Sequence, residues 1–325
     1  MTTYRNIHDV ERNENSIVTV GTFDGVHRGH QSIIARMKKL AEEVGGRTVV
    51  VTFDPHPQIV LNKSGREPIK LLSSISERIR LLSSMGVDAC VIIPFTFEFA
   101  QTPAETFITE YIFNKIGVSH FLIGYDHSFG KDRAGNDSVL QNLSSTLDFT
   151  VEVVPPLMFD DARKISSTQI RAALKGGDLL DANTMLGYEY AVEGIVVEGD
   201  GRGRKLGYPT ANIESTEPHK LLPKSGVYLV SAMIDGVLKY GMANIGTRPT
   251  FTDDLHPRLE VHFFDVNSYL YDRRLIVNFH NYIRPEMKFE GIDMFWSQLR
   301  DDRDVCEELI AKRYQEPRND IEVSL

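Results

Sequence analysis

Apolar residues in the first half of the chain fall into short continuous runs, and helix-period stretches lie between them. Runs at 17–21, 48–53, 90–94, 120–124 and 150–154 predict buried strands, and the spacing predicts a helix over about 29–44. Ser74-Ile75-Ser76-Glu77 and Thr102-Pro103-Ala104-Glu105 each carry the spacing of a capping box, so both predict helix starts. Strands that are apolar throughout and alternate with helices imply a parallel sheet covered on both faces, a Rossmann-like α/β domain. The pattern changes near 181–187. Beyond it, runs at 190–198, 226–234, 238–244, 259–264 and 275–282 are closely spaced, and Asp235-Gly236 is a hairpin signal between two of them. Such spacing predicts a small sandwich or barrel. A helical pattern over about 289–314 closes the chain.

Composition narrows this picture. At 325 residues the chain is long enough for roughly two domains, and 42% hydrophobic with 25% charged residues is ordinary globular usage. No stretch reaches the roughly 18 apolar residues of a membrane helix. Met1-Thr2-Thr3-Tyr4-Arg5 lacks the basic-then-apolar opening of a signal peptide. Cys90 and Cys306 lie far apart in apolar segments and read as buried free thiols, so a cytoplasmic location is expected. A net charge of −9 argues against broad nucleic-acid binding, though a local phosphate site needs only local donors.

The first candidate chemistry is Gly21-Thr22-Phe23-Asp24-Gly25-Val26-His27-Arg28-Gly29-His30, directly after the first strand and at the start of the first helix. In an open α/β sheet ligands bind at the carboxyl ends of the strands, and a helix N-terminus offers amide donors to phosphate. His27 and His30 are three apart and face one side of the first turn, where two imidazoles can stabilise charge on a phosphate in flight. Gly25 and Gly29 leave room for a phosphate near the backbone. Neither a Walker loop nor a Gly-x-Gly-x-x-Gly fingerprint occurs. Asp54-Pro55-His56-Pro57 follows the second strand on the same sheet edge. Ser166-Ser167-Thr168-Gln169-Ile170-Arg171 reads either as a simple capping box or, with Lys164, as a hydroxyl and cation cluster for phosphate.

In the second half, 201–212 runs from a basic glycine-rich loop, with Arg202, Arg204 and Lys205, into Thr210 and Asn212. The loop reads either as a solvated hairpin or as a phosphate wrap. Thr210 and Asn212 share one face of an extended strand and carry oxygen ligands suited to Mg²⁺. Glu260, in an otherwise apolar strand, reads either as a rim residue or as a general base.

These motifs resemble a known family. G-T-F-D-G-V-H-R-G-H at 21–30, T-F-D-P-H-P at 52–57, G-Y-D-H-S-F-G at 124–130 and I-S-S-T-Q-I-R at 165–171 are similar to the adenylyltransferase half of bacterial bifunctional riboflavin kinase/FAD synthetases. G-R-x-L-G-Y-P-T-A-N-I at 203–213, N-I-G-T-R-P-T-F at 244–251, E-V-H at 260–262 and R-P-E-M-K-F at 284–289 are similar to its riboflavin kinase module. The resemblance implies an α/β nucleotidyltransferase domain over 1–184 and a six-stranded antiparallel barrel with a C-terminal helix over 185–325. It implies His27 and His30 at the ATP phosphates, with Gly21, Phe23, Asp24, Gly25, Asp126, Lys164, Ser167, Thr168 and Arg171 also binding ATP. In the barrel it implies Gly203, Lys205 and Gly207 at ATP, Thr210 and Asn212 at magnesium, and Glu260 as the base on the ribityl hydroxyl. His56, Pro57 and Arg284 are implied at the flavin. Many members have arginine at Lys164, phenylalanine at Tyr208 and arginine at Tyr188.

The expected activity is phosphorylation of riboflavin by ATP to FMN, then adenylylation of FMN to FAD and pyrophosphate. Mg²⁺ and ATP are the expected companions; riboflavin, FMN and FAD are substrates or products, and neither nucleic acid nor membrane is expected as a partner. Another His-x-Gly-His nucleotidyltransferase is the nearest alternative, though the Pro209-Thr210-Ala211-Asn212 stretch with Glu260 would then have no use. A flavin-binding regulator is the alternative from another class.

Overall fold

A computed structural model describes residues 1–62, 67–125, 137–199, 208–246 and 257–315. The chain divides into two compact units. One comprises Met1–Arg171, Met185–Gly187 and His219–Leu221; the other comprises Ala172–Thr184, Tyr188–Pro218 and Leu222–Leu325.

The first unit is built on β1 (Thr2–Tyr4), β2 (Ser16–Val20), β3 (Arg47–Asp54), β4 (Ala89–Pro94), β5 (His120–Gly124) and β6 (Thr150–Val154). They form one sheet in the order β1-β4-β3-β2-β5-β6, with every pair parallel. Alternate residues feed two cores, which is why the strands read as unbroken apolar runs. Val18, Val49, Val51, Val91 and Phe121 face one core, while Ile17, Val50, Cys90, Ile92 and Leu122 face the other. The second core is capped by Ile33, Ile34, Met37 and Leu40 of α1 (Arg28–Val44) and by Leu82 of α2 (Ile75–Ser84). Burying such a side chain stabilises the fold by about 1.5–3 kcal/mol each. The first core is covered by a π-helical stretch, Phe107–Ile116, through Ile108, Ile112 and Ile116.

Among the helix starts, the Ser74 capping box forms at α2, where Ser74 Oγ accepts from Glu77 N and Glu77 accepts from Ser74 N. The Thr102 box does not form. The short helix Ala104–Thr106 has Pro103 at its N-cap without a side-chain bond. The edge strand β1 carries no sequence signal because three residues cannot establish a period.

The chain steps from β2 to β3 and β4 in one direction and then crosses from β4 to β5 on the other side of β2, so the carboxyl ends of adjacent β2 and β5 flank the topological switch point, where open α/β sheets bind ligands.

The second unit is a closed antiparallel barrel in the order β10-β11-β8-β7-β12-β9. Its strands are β7 (Ala191–Val197), β8 (Ala211–Ser215), β9 (Gly226–Ile234), β10 (Val237–Gly246), β11 (Arg258–Phe263) and β12 (Arg274–Arg284). Asp235 and Gly236 both have positive φ, 51° and 78°, the backbone of a tight hairpin turn between β9 and β10. Leu259, Val261 and Phe263 are buried, while Arg258, Glu260 and His262 point to the other face of β11. The last helix, Ile292–Gln315, packs on the outside of this barrel: Cys306 is buried with Leu229, Met242 and Phe264, flanked by Leu299 and Leu309. Both cysteines are buried and free.

Candidate active sites

The loop after β2 carries an unusual backbone. Phe23 and Val26 have φ of 47° and 34°, a region that costs non-glycine residues about 1–3 kcal/mol and that clusters at functional sites. Gly25 has φ 81°, which strains any other residue, and a Cβ there would also lie 2.9 Å from Leu72 Cδ1 and 3.1 Å from Leu72 Cβ. The packing against Leu72 thus requires a residue without a side chain here.

Asp24 fixes this loop. Its carboxylate is fully buried and accepts from Leu72 N at 3.0 Å, Ser73 N at 2.9 Å and Ser73 Oγ at 3.2 Å. Arg171 Nη2 pairs with it at 2.5 Å, and Arg171 Nε donates to Lys70 O at 2.7 Å. Ser167, the first residue of the helix Ser167–Gly176, donates through Oγ to the Asp24 carbonyl at 2.9 Å. Asp24 and Gly25 thus stand behind the site and join its walls.

On the open side, His27 caps α1 without a side-chain bond, and its ring stacks on His30 at 3.7 Å with 17° between planes. Phe23 packs on His30 at 4.8 Å. The Nδ1 atoms of both histidines are buried without a hydrogen-bond partner among the described residues, a costly state that a ligand oxygen can relieve. Burial lowers His27 to a pKa of about 4, with Asp24 pulling the other way. Burial, then the neighbouring His27 and Arg78, hold His30 well below its ordinary value. His56 is lowered by burial to about 4; its Nδ1 accepts from Gln58 N at 3.1 Å, leaving Nε2 as the donor. All three imidazoles are neutral at pH 7.

These groups line one cavity of about 1110 Å³. It brings together Gly21, Phe23, His27, His30, His56, Pro57, Ser167, Thr168 and Arg171. Lys164 reaches it indirectly, with Nζ 4.3 Å over the ring of Tyr125, a lining residue. Asp126 lies outside the described residues. The volume exceeds the roughly 300–1,000 Å³ of a drug-sized site. Sequence reading missed the aromatic end, where Phe53, Phe95 and Phe99 meet edge to face or tilted at 5.5–6.1 Å. The phenylalanine spacing in 94–99 is the signal that could have revealed it.

In the barrel, register places Asn212 of β8 opposite Glu260 of β11, and Glu260 opposite Asn244 of β10. Directly opposed residues point to the same face, so these three polar side chains form a row on the outer wall. Thr210 stands two residues before Asn212. Gly199 leaves room for the Asn212 amide, which a Cβ there would strike. Among the described residues no cluster of three or more His, Cys, Asp or Glu is placed to hold a metal. The donors present are a hydroxyl, an amide oxygen and a carboxylate. That set fits a hard cation that takes its other ligands from substrate phosphates. Gly203, Lys205 and Gly207 lie outside the described residues.

Arg284 is committed within the fold. Its Nε and Nη2 donate to Asp302 at 2.8 and 2.7 Å, and Nη1 donates to Pro285 O at 2.9 Å, tying β12 to the last helix. Asn244 Nδ2 approaches Glu286 Oε1 at 3.4 Å, and Gly246 leaves the space that Glu286 fills. Glu286 and Asp302 were not legible as site neighbours.

A family model described as FAD synthetase matches residues 9–169, and one described as riboflavin kinase matches 186–310. A bifunctional riboflavin kinase/FMN adenylyltransferase from Listeria monocytogenes serovar 1/2a is 36% identical over 299 residues, covering 92% of this chain and 93% of that protein. The protein of the same description from Escherichia coli K12 is 33% identical over 313 residues, 95% and 96% of the two chains. A solved structure described as a macrolide-efflux protein from Streptococcus pneumoniae is 33% identical with a TM-score of 0.84, covering 94% and 98%. Among the described residues no helix is long and apolar enough to cross a membrane.

Proposed function

The chain belongs to the bifunctional riboflavin kinase/FMN adenylyltransferase family, and from that premise we propose how its residues divide the two reactions. The enzyme phosphorylates riboflavin with ATP to give FMN and ADP, then adenylylates FMN with a second ATP to give FAD and pyrophosphate. We assign the adenylyl transfer to residues 1–184 and the kinase reaction to 185–325, both acting in the cytoplasm.

In the adenylyltransferase, an oxygen of the FMN phosphate forms a bond to the α-phosphorus of ATP while the bond to the bridging oxygen breaks and pyrophosphate leaves. His27 and His30 donate neutral N–H groups to the phosphate oxygens, and Arg171, Ser167 and Thr168 add donors beside them. Preformed donors aimed at developing charge need no reorganisation as the reaction proceeds. The stacked pair, whose buried Nδ1 atoms have no hydrogen-bond partner among the described residues, is the observation that carries this assignment. His56 and Pro57, which line the same cavity, orient the flavin.

In the kinase, Glu260 takes the proton from the ribityl hydroxyl as that oxygen bonds to the γ-phosphorus and ADP departs. Thr210 and Asn212 would hold magnesium at the ATP phosphates. When bound, the ion offsets phosphate charge.

The test is a timed incubation of the purified chain with riboflavin, ATP and magnesium, with flavins separated by chromatography. FMN followed by FAD is expected, and a chelator stops both. Recovery of riboflavin unchanged overturns the reading.

A further inference from the structure

His262 lies two residues beyond Glu260 on the same outer face of β11. Its Nδ1 is 2.9 Å from the carbonyl oxygen of Pro209. A carbonyl only accepts, so Nδ1 carries the hydrogen. Proline has no N–H, which makes this carbonyl the one backbone group Pro209 can offer. The ring of Tyr208, the preceding residue, packs on His262 at 5.0 Å and on Trp296 of the last helix at 5.4 Å. On the other side, β8 starts at Ala211, opposite Val261. Thr210 therefore sits between two points of attachment, a carbonyl bonded to β11 and a strand paired with β11.

We propose that His262 is a positioning residue that fastens the stretch 208–212 to β11, so that Thr210 and Asn212 are set at a fixed distance from Glu260. Burial, foremost, and the charge of Arg303 keep the imidazole below its ordinary pKa, against the pull of the Pro209 bond and Asp265.

The inference rests on the reading of Thr210, Asn212 and Glu260 as kinase-site residues. His262→Phe keeps a ring for Tyr208 and removes the donor; His262→Asn restores an N–H near the position of Nδ1. Loss of one neutral hydrogen bond corresponds to a change of about five- to tenfold. The KM for ATP in FMN formation is expected to rise by that factor in His262→Phe and to return towards wild type in His262→Asn, with kcat moving less. Conversion of supplied FMN to FAD, measured on the same samples, stays unchanged. Trp296 is the single tryptophan, so its emission reports this packing directly. Acrylamide quenching rises in His262→Phe and recovers in His262→Asn. Wild-type KM and quenching in His262→Phe overturn the proposal, as does an asparagine variant no better than phenylalanine. Glu260→Gln, carried alongside, separates the two levels: full FMN formation in that variant removes the kinase-site reading, whereas a null result at His262 alone removes only the fastening.

Discussion

Replacing Asp24 by asparagine changes one charge and almost no volume, and it tests how the adenylyltransferase site is held. The carboxylate accepts from two backbone amides and the Ser73 hydroxyl, and it pairs with Arg171. An amide keeps one oxygen but turns an NH₂ towards donors, either the amides or the guanidinium. Breaking a buried ion pair costs roughly 3–5 kcal/mol. The Arg171 side chain is 15% exposed and keeps its bond to Lys70 O, so the low end, about 3 kcal/mol, is expected. For a unit of this size each kcal/mol moves Tm by about 2–4 °C, giving a fall of about 6–12 °C in the transition of the first unit. Phe23 and Val26 lose the anchor that holds their left-handed backbone, and Arg171 loses its orientation. FAD formation should fall at least tenfold in kcat/KM, as expected for a lost charged hydrogen bond. Scanning calorimetry of the full chain and both activities, assayed below the first transition, read these effects separately. FMN formation is the control and should persist. An unchanged Tm together with unchanged FAD formation would refute the idea that Asp24 joins the walls of the site.

Two further outcomes follow from the same geometry. His27 titrates near 6.5 when unfolded and about 4 when folded, so between those values the unfolded chain binds a proton that the folded chain refuses. Stability is then full above about pH 6.5 and is lost as pH falls towards 4; Tm measured across that window should drop less steeply in His27→Asn than in wild type, and parallel curves would contradict the buried neutral imidazole. Arg284→Lys replaces a two-pronged grip on the buried Asp302 with a point charge, costing roughly 1–3 kcal/mol in the barrel transition while FMN formation persists below it. Weakened riboflavin binding without a stability loss would instead place Arg284 at the flavin.

What the sequence revealed depends on the range of the interaction. Parallel strands announce themselves because both faces are buried, and the Ser74 box because its partners are three residues apart. Thr102 misled for the same local reason, since Pro103 takes the capping position instead. Asp24 looked like a ligand-facing residue. Its partners lie 48, 49 and 147 positions away, and no periodicity reports such distances. Arg284 and His262 repeat the lesson: Asp302 is 18 residues beyond Arg284, and Pro209 is 53 residues before His262. Residue chemistry was legible where a motif is contiguous, as in His27 to His30, and partner choice was not.

Two separate catalytic sites on one chain is the central claim, and a pair of single substitutions tests it most directly. FMN formation from riboflavin and FAD formation from supplied FMN are measured side by side in His30→Ala and Glu260→Gln, with ATP and magnesium saturating. The account predicts that His30→Ala loses FAD formation and keeps FMN formation, and that Glu260→Gln does the reverse. Equal loss of both activities from either substitution would contradict it.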